Sequence, residues 1–164
     1  MGAVRFLLLA LLLFATIPAH AADFYTVRVI SVADGDMNTV LTANKQQAKI
    51  RLYGIDCPAT GQEYVHRARA ATRFAVAGKD VNVRLMDDGR QGQFAAVVEI
   101  PDVSVSLNAF LVLEGLAWVN PQLCTDEDIC GPLREKEQEA REQKKGLWAG
   151  KNPVPPWEWL RNKK

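Results

Sequence analysis

The sequence lacks a large net charge, a second long apolar run and enough clustered cysteine or histidine for a zinc site. Its 164 residues include 20 Lys and Arg against 19 Asp and Glu, which gives a formal net charge of +1. A protein that binds nucleic acid through many phosphates usually has a positive surface. The charge balance therefore gives no support for strong nucleic-acid affinity. We also find no internal repeat, and the length suits one domain with one core.

The one long apolar run lies at the N-terminus. A single cation, Arg5, precedes the apolar residues 6–17, and an Ala-His-Ala motif then ends at Ala21. This order is typical of a secretory signal cleaved after Ala21, whereas a membrane-spanning helix needs roughly 20 apolar residues. We therefore predict that residues 1–21 are removed and that the protein is exported, to the periplasm or the medium, without a membrane anchor. Loss of Arg5 would leave 19 basic and 19 acidic residues.

Cysteine is scarce, and two of its three copies lie close together. Cys124 and Cys130 are six residues apart, and export would place them where disulfides persist. Two cysteines with no histidine nearby make a poor zinc site. We predict a Cys124–Cys130 disulfide, worth roughly 2 kcal/mol for so small a loop. Cys57 is expected to be unpaired and buried as a small apolar residue.

Alternating β-branched residues and turn residues predict five strands. The first three lie at residues 24–33, 38–42 and 48–53, and two more lie at 81–85 and 95–100. Arg51 falls on the polar face of the third strand. A predicted helix separates the third and fourth strands, which is compatible with a five-stranded barrel of the OB type. We therefore predict an α+β, mainly β domain over residues 22–150, with a Greek-key barrel and three helices.

The three helices are predicted from their capping residues. Thr60 and Glu63 have the spacing of a capping box for the first helix, and Ser106 caps the second. The third is predicted from Pro132 to Lys145. The remaining tail, residues 151–164, is rich in proline and tryptophan, so we expect it to be irregular and to pack on the domain.

Several short motifs, taken in order, resemble a known family. Together they resemble the thermonuclease (staphylococcal nuclease) family, in its exported bacterial form, from about residue 25 to the C-terminus. The motifs are Asp34-Gly35-Asp36, Arg51-Leu52-Tyr53-Gly54-Ile55-Asp56-Cys57-Pro58, Leu107-Asn108, Glu114-Gly115-Leu116-Ala117-Trp118-Val119, Gly146-Leu147-Trp148 and the Pro-Pro-Trp-Glu-Trp tail.

The resemblance implies a calcium-dependent phosphodiesterase that cleaves DNA and RNA. Asp36 and Asp56 match the calcium-binding aspartates, and the backbone carbonyl of Cys57 matches a third ligand, since calcium takes oxygen ligands. Arg51 matches the first of two arginines that stabilise charge on the phosphate oxygens. The alternative is that the aspartates only cap turns and that Arg51 only forms a surface salt bridge.

Two catalytic positions depart from the family pattern. The family's glutamate is Ala59 here, and alanine can neither accept a proton nor orient water. The second arginine position falls at Gln93 and the preceding tyrosine at Gln91, since Arg90 reaches the arginine position only with a three-residue shift. A tyrosine that stacks on a base in relatives is Asn120. Loss of a general base costs on the order of 10²–10⁴ in rate, and loss of such an arginine roughly 10³–10⁵.

These departures leave three hypotheses about function. The first, which we favour, is a binding module that keeps the barrel for a partner protein, a ligand or, weakly, nucleic acid. The second is a weak or altered nuclease in which Glu63 replaces the missing base, although the predicted capping box gives Glu63 a structural role. The third is a purely structural component of the cell envelope. In each case we expect a monomer.

Overall fold

The computed structural model describes residues 24–87, 89 and 93–163. The predicted signal segment, Arg90 and Gln91 lie outside these residues. The strands are β1 Phe24–Val32, β2 Met37–Leu41, β3 Gln47–Leu52, β4 Ile55–Asp56, β5 Asp80–Leu85, β6 Gln93–Glu99 and β7 Trp118–Val119. The α-helices are α1 Val65–Val76, α2 Leu107–Leu113, α3 Glu127–Glu142 and α4 Pro156–Arg161, and a 3₁₀ helix spans Gly146–Ala149. Within the described ranges, no helix combines the length and the apolar character that crossing a bilayer requires.

Five strands close into a barrel in the order β1, β2, β3, β6, β5. All neighbouring pairs are antiparallel except β3 and β6, which run parallel with Arg51 opposite Ala95. The predicted five-stranded barrel of the OB type is confirmed. The alternation seen in the sequence places one set of residues inside the barrel, and this buried set includes Val27, Val29, Val40, Ile50, Leu52, Val81, Val83, Ala96 and Val98.

A buried amide fixes α2 to the barrel wall. Asn108 is fully buried, and its Oδ1 accepts a hydrogen bond from the Val98 N–H at 3.0 Å. Its Nδ2 donates to the carbonyls of Tyr53 and Ala96 at 3.0 and 3.2 Å. Because Tyr53 directly follows β3, this amide holds in place the strand end that carries Arg51.

The start of α1 differs from the prediction. The helix begins at Val65, after Tyr64 in a left-handed conformation and without a side-chain cap. The predicted capping box is therefore wrong. Gln62, rather than Glu63, reaches back along the chain, and its Oε1 accepts a hydrogen bond from the Ala59 N–H at 2.8 Å. Glu63 is left exposed, without the structural role that the sequence suggested.

The last two helices also differ from the prediction. α3 begins at Glu127 because the Asp126 carboxylate accepts a hydrogen bond from the Asp128 N–H at 3.1 Å and so caps it, which places Pro132 inside the helix. The tail is not irregular, since α4 begins at Pro156, a position where the missing proline N–H costs no helical hydrogen bond. The described residues therefore form four α-helices rather than three.

A second, smaller core lies in the C-terminal third of the chain. It consists of Trp118, Ala140, Leu147 and Trp148, with the half-buried Trp157 packed against it. The ring centroids of Trp118 and Trp148 lie 5.8 Å apart in an edge-to-face arrangement.

The backbone joins this small core to the end of α2. The Leu147 N–H donates to the Gly115 carbonyl at 2.9 Å. A Cβ on Gly115 would lie only 2.2 Å from the Lys145 carbonyl oxygen, and the φ of Gly115 is +64°. Only glycine fits this contact.

The predicted disulfide joins Cys124 and Cys130, with the two Cα atoms 5.7 Å apart, and Cys57 is unpaired and buried. The loop between the bridged cysteines binds Tyr53. The Tyr53 hydroxyl oxygen accepts hydrogen bonds from the backbone N–H groups of Thr125 and Asp126, both at 2.9 Å. The bridge thus supports the segment between β3 and β4.

We expect the double substitution Cys124→Ser/Cys130→Ser to lower the free energy of unfolding by about 2 kcal/mol, because the unfolded chain regains the entropy of an open loop. Urea unfolding at pH 7 without reductant measures this change. Dithiothreitol should destabilise the wild type by a similar amount and leave the double variant unchanged. Equal stability of wild type and variant would contradict the expectation.

Candidate phosphate and cation site

The candidate site is built around the turn between β1 and β2. A Cβ on Gly35 would lie 2.7 Å from the Cys57 Sγ and 3.0 Å from the Ala68 Cβ, so this turn packs directly against the segment after β4 and against α1. The Thr72 hydroxyl donates to the Gly35 carbonyl at 2.6 Å. Glycine and these contacts hold the two flanking residues, Asp34 and Asp36, in fixed positions.

Arg51 lies between two buried carboxylates. Its Nη2 donates to Asp56 Oδ1, and its Nε lies 3.9 Å from Asp36 Oδ2. Asp36 and Asp56 are each 8% exposed. The Nδ2 of Asn120 donates to the second oxygen of Asp56 at 2.7 Å. The structure therefore brings together three of the residues predicted from the sequence.

The site holds more negative than positive charge. Arg69 Nη2 lies 3.7 Å from Asp34 Oδ1, so three carboxylates, including Asp36 and Asp56, face two guanidinium groups. Burial raises the pKa of Asp36 from 3.8 to about 6; Arg51 opposes this rise, while Asp56 and Asp34 add to it. The negative charge of ionised Asp36 is thus only partly balanced by the positive groups around it.

The residues present fit a hard cation. The incompletely compensated charge at Asp36 favours a cation, and carboxylate and carbonyl oxygens are the ligands that calcium prefers. Burial raises the pKa of the Cys57 thiol well above its usual value, with a smaller contribution from Asp36, so the thiol stays protonated and only the backbone carbonyl of Cys57 suits calcium. Across residues 24–87, 89 and 93–163, no three His, Cys, Asp or Glu side chains group to hold a metal. A cation here would need backbone or water oxygens beside the two carboxylates.

The two substituted catalytic positions carry no ionisable group. Gln93 lies opposite Lys49 in the β3–β6 pairing, two residues before Ala95, the partner of Arg51. Because side chains alternate along a strand, Gln93 and Arg51 lie on the same face of the sheet. Ala59 lies three residues after Asp56 and offers no proton acceptor.

Glu63 is the predicted substitute base. It is exposed and lines a cavity together with Tyr64 and Trp118.

Sequence reasoning missed the contacts of Arg69 and Asn120. Asn120 was predicted only as a lost stacking position, yet it hydrogen-bonds Asp56, and its N–H donates to the Gly54 carbonyl at 2.9 Å. For Arg69 a signal was present. Arg69 lies on α1 between the inward-facing Ala68 and Thr72, and this part of the helix lies beside residues 34–36.

Comparison with known proteins places this geometry in a family. Residues 49–150 match the model of the staphylococcal nuclease homologue family. The chain belongs to this family. It is 38% identical over 146 residues to a protein of Escherichia coli O157:H7 described as an uncharacterized endonuclease, an overlap of 89% of this chain and 91% of that protein. It is 33% identical over 171 residues to a micrococcal nuclease of Shigella flexneri, with 100% and 95% covered.

A third relative of this staphylococcal nuclease homologue is an uncharacterized endonuclease of Haemophilus influenzae. The two are 32% identical over 155 residues, which cover 94% of this chain and 83% of the relative. Family membership supports a staphylococcal-nuclease-like nuclease domain, and nucleases of this family are generally calcium-dependent.

Proposed function

We propose that this chain is an exported staphylococcal-nuclease-like domain that binds nucleic acid at the Arg51 site but hydrolyses it poorly. One observation supports this proposal above all. Arg51 lies between Asp36 and Asp56, and these are the residues that match the family's phosphate-binding arginine and calcium-binding aspartates. The positions of the general base and the second arginine hold Ala59 and Gln93 instead.

Each retained residue has a defined role in this proposal. Arg51 binds a phosphate oxygen of the substrate through its guanidinium group. Asp56 orients Arg51, and Asn120 orients Asp56. Asp36, Asp56 and the Cys57 carbonyl would hold calcium, which when bound supplies charge stabilisation at the phosphate oxygens. With alanine at position 59, no side chain there takes a proton from the attacking water.

The test uses residues 22–164 with a labelled single-stranded DNA oligonucleotide, in calcium and in chelator. We expect measurable binding, and cleavage at least about 10²-fold slower than that by the Shigella flexneri relative, because a general base is missing. Binding should weaken about tenfold in Arg51→Ala, which removes a charge-assisted hydrogen bond.

Arg28→Ala is the matched control for the binding test, since Arg28 forms an exposed ion pair with Asp80 at 3.2 Å on the barrel surface. It should bind like the wild type. Cleavage as fast as that of the relative would reject the impairment. Unchanged binding by Arg51→Ala would reject the site.

A weak nuclease is the second candidate, favoured by the exposure of Glu63 and its lack of a capping role. It predicts slow, calcium-dependent cleavage that stops in both Asp36→Ala and Glu63→Gln. Under the first proposal, by contrast, Glu63→Gln leaves any residual rate unchanged. The Glu63→Gln variant therefore separates the two candidates.

A further inference from the structure

Two cavities meet along the segment that precedes α4. One has a volume of about 520 Å³ and the other about 390 Å³, and both are lined by residues 150–153 and by Trp118. Cavities of this size are typical of ligand sites. We name the two cavities together the tail trough.

The larger cavity combines one half-buried indole, that of Trp157, with cations. The guanidinium carbon of Arg141 lies 3.7 Å from the ring centroid of Trp148, and the half-buried Trp157 forms another wall. Lys151 is exposed at the rim. The carboxylate of Glu137 is already engaged, because it accepts hydrogen bonds from the Val119 N–H at 3.0 Å and from Arg141 at 3.3 Å. This cavity therefore presents an excess of positive charge beside an aromatic face.

The smaller cavity repeats this combination. Its aromatic walls include Tyr64 and Trp159, both half-buried. The Lys163 ammonium lies 4.7 Å from the Trp159 ring centroid, and the Arg67 guanidinium lies 5.1 Å from that of Tyr64. Each of the two cavities thus has cations close to aromatic rings.

This combination of cations and aromatic rings matches the chemistry of a single nucleic-acid strand. Unpaired bases stack on aromatic side chains, and the phosphates between them pair with cations. The faces of bases in a duplex are already stacked on one another, so a duplex cannot use the indoles in this way. The local charge agrees: Arg67, Arg141, Lys151 and Lys163 lie in or beside the trough, against Glu63 and Glu137.

We propose that the tail trough binds single-stranded nucleic acid, with bases on Trp157 and Trp159 and phosphates on Arg141, Lys151 and Lys163. This surface is additional to the Arg51 site and does not depend on it. Gln62 in the trough wall lies six positions after Asp56, and six residues of chain span at most roughly 20 Å. A strand of moderate length can therefore contact both surfaces.

The experiment measures the affinity of the full exported chain for a 5′-labelled, twelve-nucleotide single-stranded DNA by fluorescence anisotropy, in chelator to prevent cleavage. We expect the double substitution Lys151→Gln/Lys163→Gln to weaken binding about tenfold. We expect a similar loss in Trp157→Ala and recovery in Trp157→Phe. The lysines are exposed, so their replacement tests the trough even where the tryptophan variant folds poorly.

The matched control is Phe74→Ala. Phe74 is 88% exposed and also pairs with a cation, the Lys79 ammonium at 6.0 Å from its ring centroid, but it lies near the end of α1 outside the tail trough. This variant should bind as the wild type does. Equal affinity for a twelve-residue polyglutamate or for a duplex of the same length would overturn the proposal.

The Arg51→Ala variant separates the two sites. If it weakens binding and the lysine variant does not, the trough proposal is wrong and the Arg51 site stands. If only the lysine and Trp157 variants weaken binding, the trough stands and the Arg51 site is wrong. Absence of single-strand binding by the wild type would overturn both.

Discussion

The double substitution Ala59→Glu/Gln93→Arg should raise the rate of calcium-dependent DNA cleavage by at least about 10³-fold. The glutamate would supply a proton acceptor three residues after Asp56. The arginine would place a second guanidinium group on the face of the sheet that carries Arg51, because Gln93 pairs with Lys49, two residues before Arg51 on the same strand. Hydrolysis of a labelled single-stranded DNA, followed by gel electrophoresis, measures the gain.

The control for this gain is Ala59→Gln/Gln93→Arg, which has the shape of the restored site without the proton acceptor. It should gain much less than Ala59→Glu/Gln93→Arg, because it restores the arginine but supplies no proton acceptor. The gains in cleavage rate from the two single substitutions should together fall short of the gain from the double substitution. The effects of residues that act together in catalysis are not additive. A wild type that already cleaves as fast as the doubly substituted protein would show that a base lies elsewhere in the chain.

Asp36→Asn should raise the free energy of unfolding by about 3 kcal/mol at pH 7.5 and change it little at pH 4. Burial raises the pKa of Asp36 in the folded state from 3.8 to about 6. Between these pH values the native protein holds an extra proton on Asp36, so the contribution of Asp36 to wild-type stability falls as pH rises from about 4 to 6 and stays reduced above that. The rise in pKa corresponds to about 3 kcal/mol, and asparagine removes the ionisation that causes it.

Urea unfolding in chelator from pH 4 to pH 8 measures this effect, since a bound cation would offset it. Asp80→Asn serves as the control, because Asp80 is exposed and pairs with Arg28 on the surface. Its stability relative to wild type should show no comparable dependence on pH. An Asp36→Asn protein less stable than the wild type at pH 7.5 would contradict the expectation.

The barrel could be predicted from the sequence because alternation of apolar residues directly reflects which face of each strand is buried. The residues at which the helices begin were harder to predict. The spacing of Thr60 and Glu63 satisfies a capping box, but Gln62 competes for the same region and binds the Ala59 N–H. In the tail, consecutive prolines are equally compatible with an irregular segment and with a helix that starts at Pro156.

The candidate site also has one part that could be predicted from the sequence and one part that could not. Asp36, Arg51 and Asp56 lie within short motifs, so local sequence was enough to single them out. Asn120 is 64 residues from Asp56 in the chain and reaches it only because β7 pairs with β4. Arg69 reaches Asp34 only because α1 packs on the turn around Gly35. The contact of Asn120 has no signal in one sequence, and the contact of Arg69 has only the indirect signal of the inward-facing residues of α1.

The small core around Trp118 has a consequence for the phosphate site. Cooperative units of a protein can open separately when few contacts join them. Trp118 lies directly opposite Asp56 in the β4–β7 pairing, and Asn120, which orients that carboxylate, follows two residues later. Local opening of the two-stranded β4–β7 sheet would release the Asn120 contact with Asp56 while the five barrel strands stayed paired. Amide exchange at Trp118 and Asn120 should therefore report the integrity of the phosphate site more sensitively than the melting temperature does.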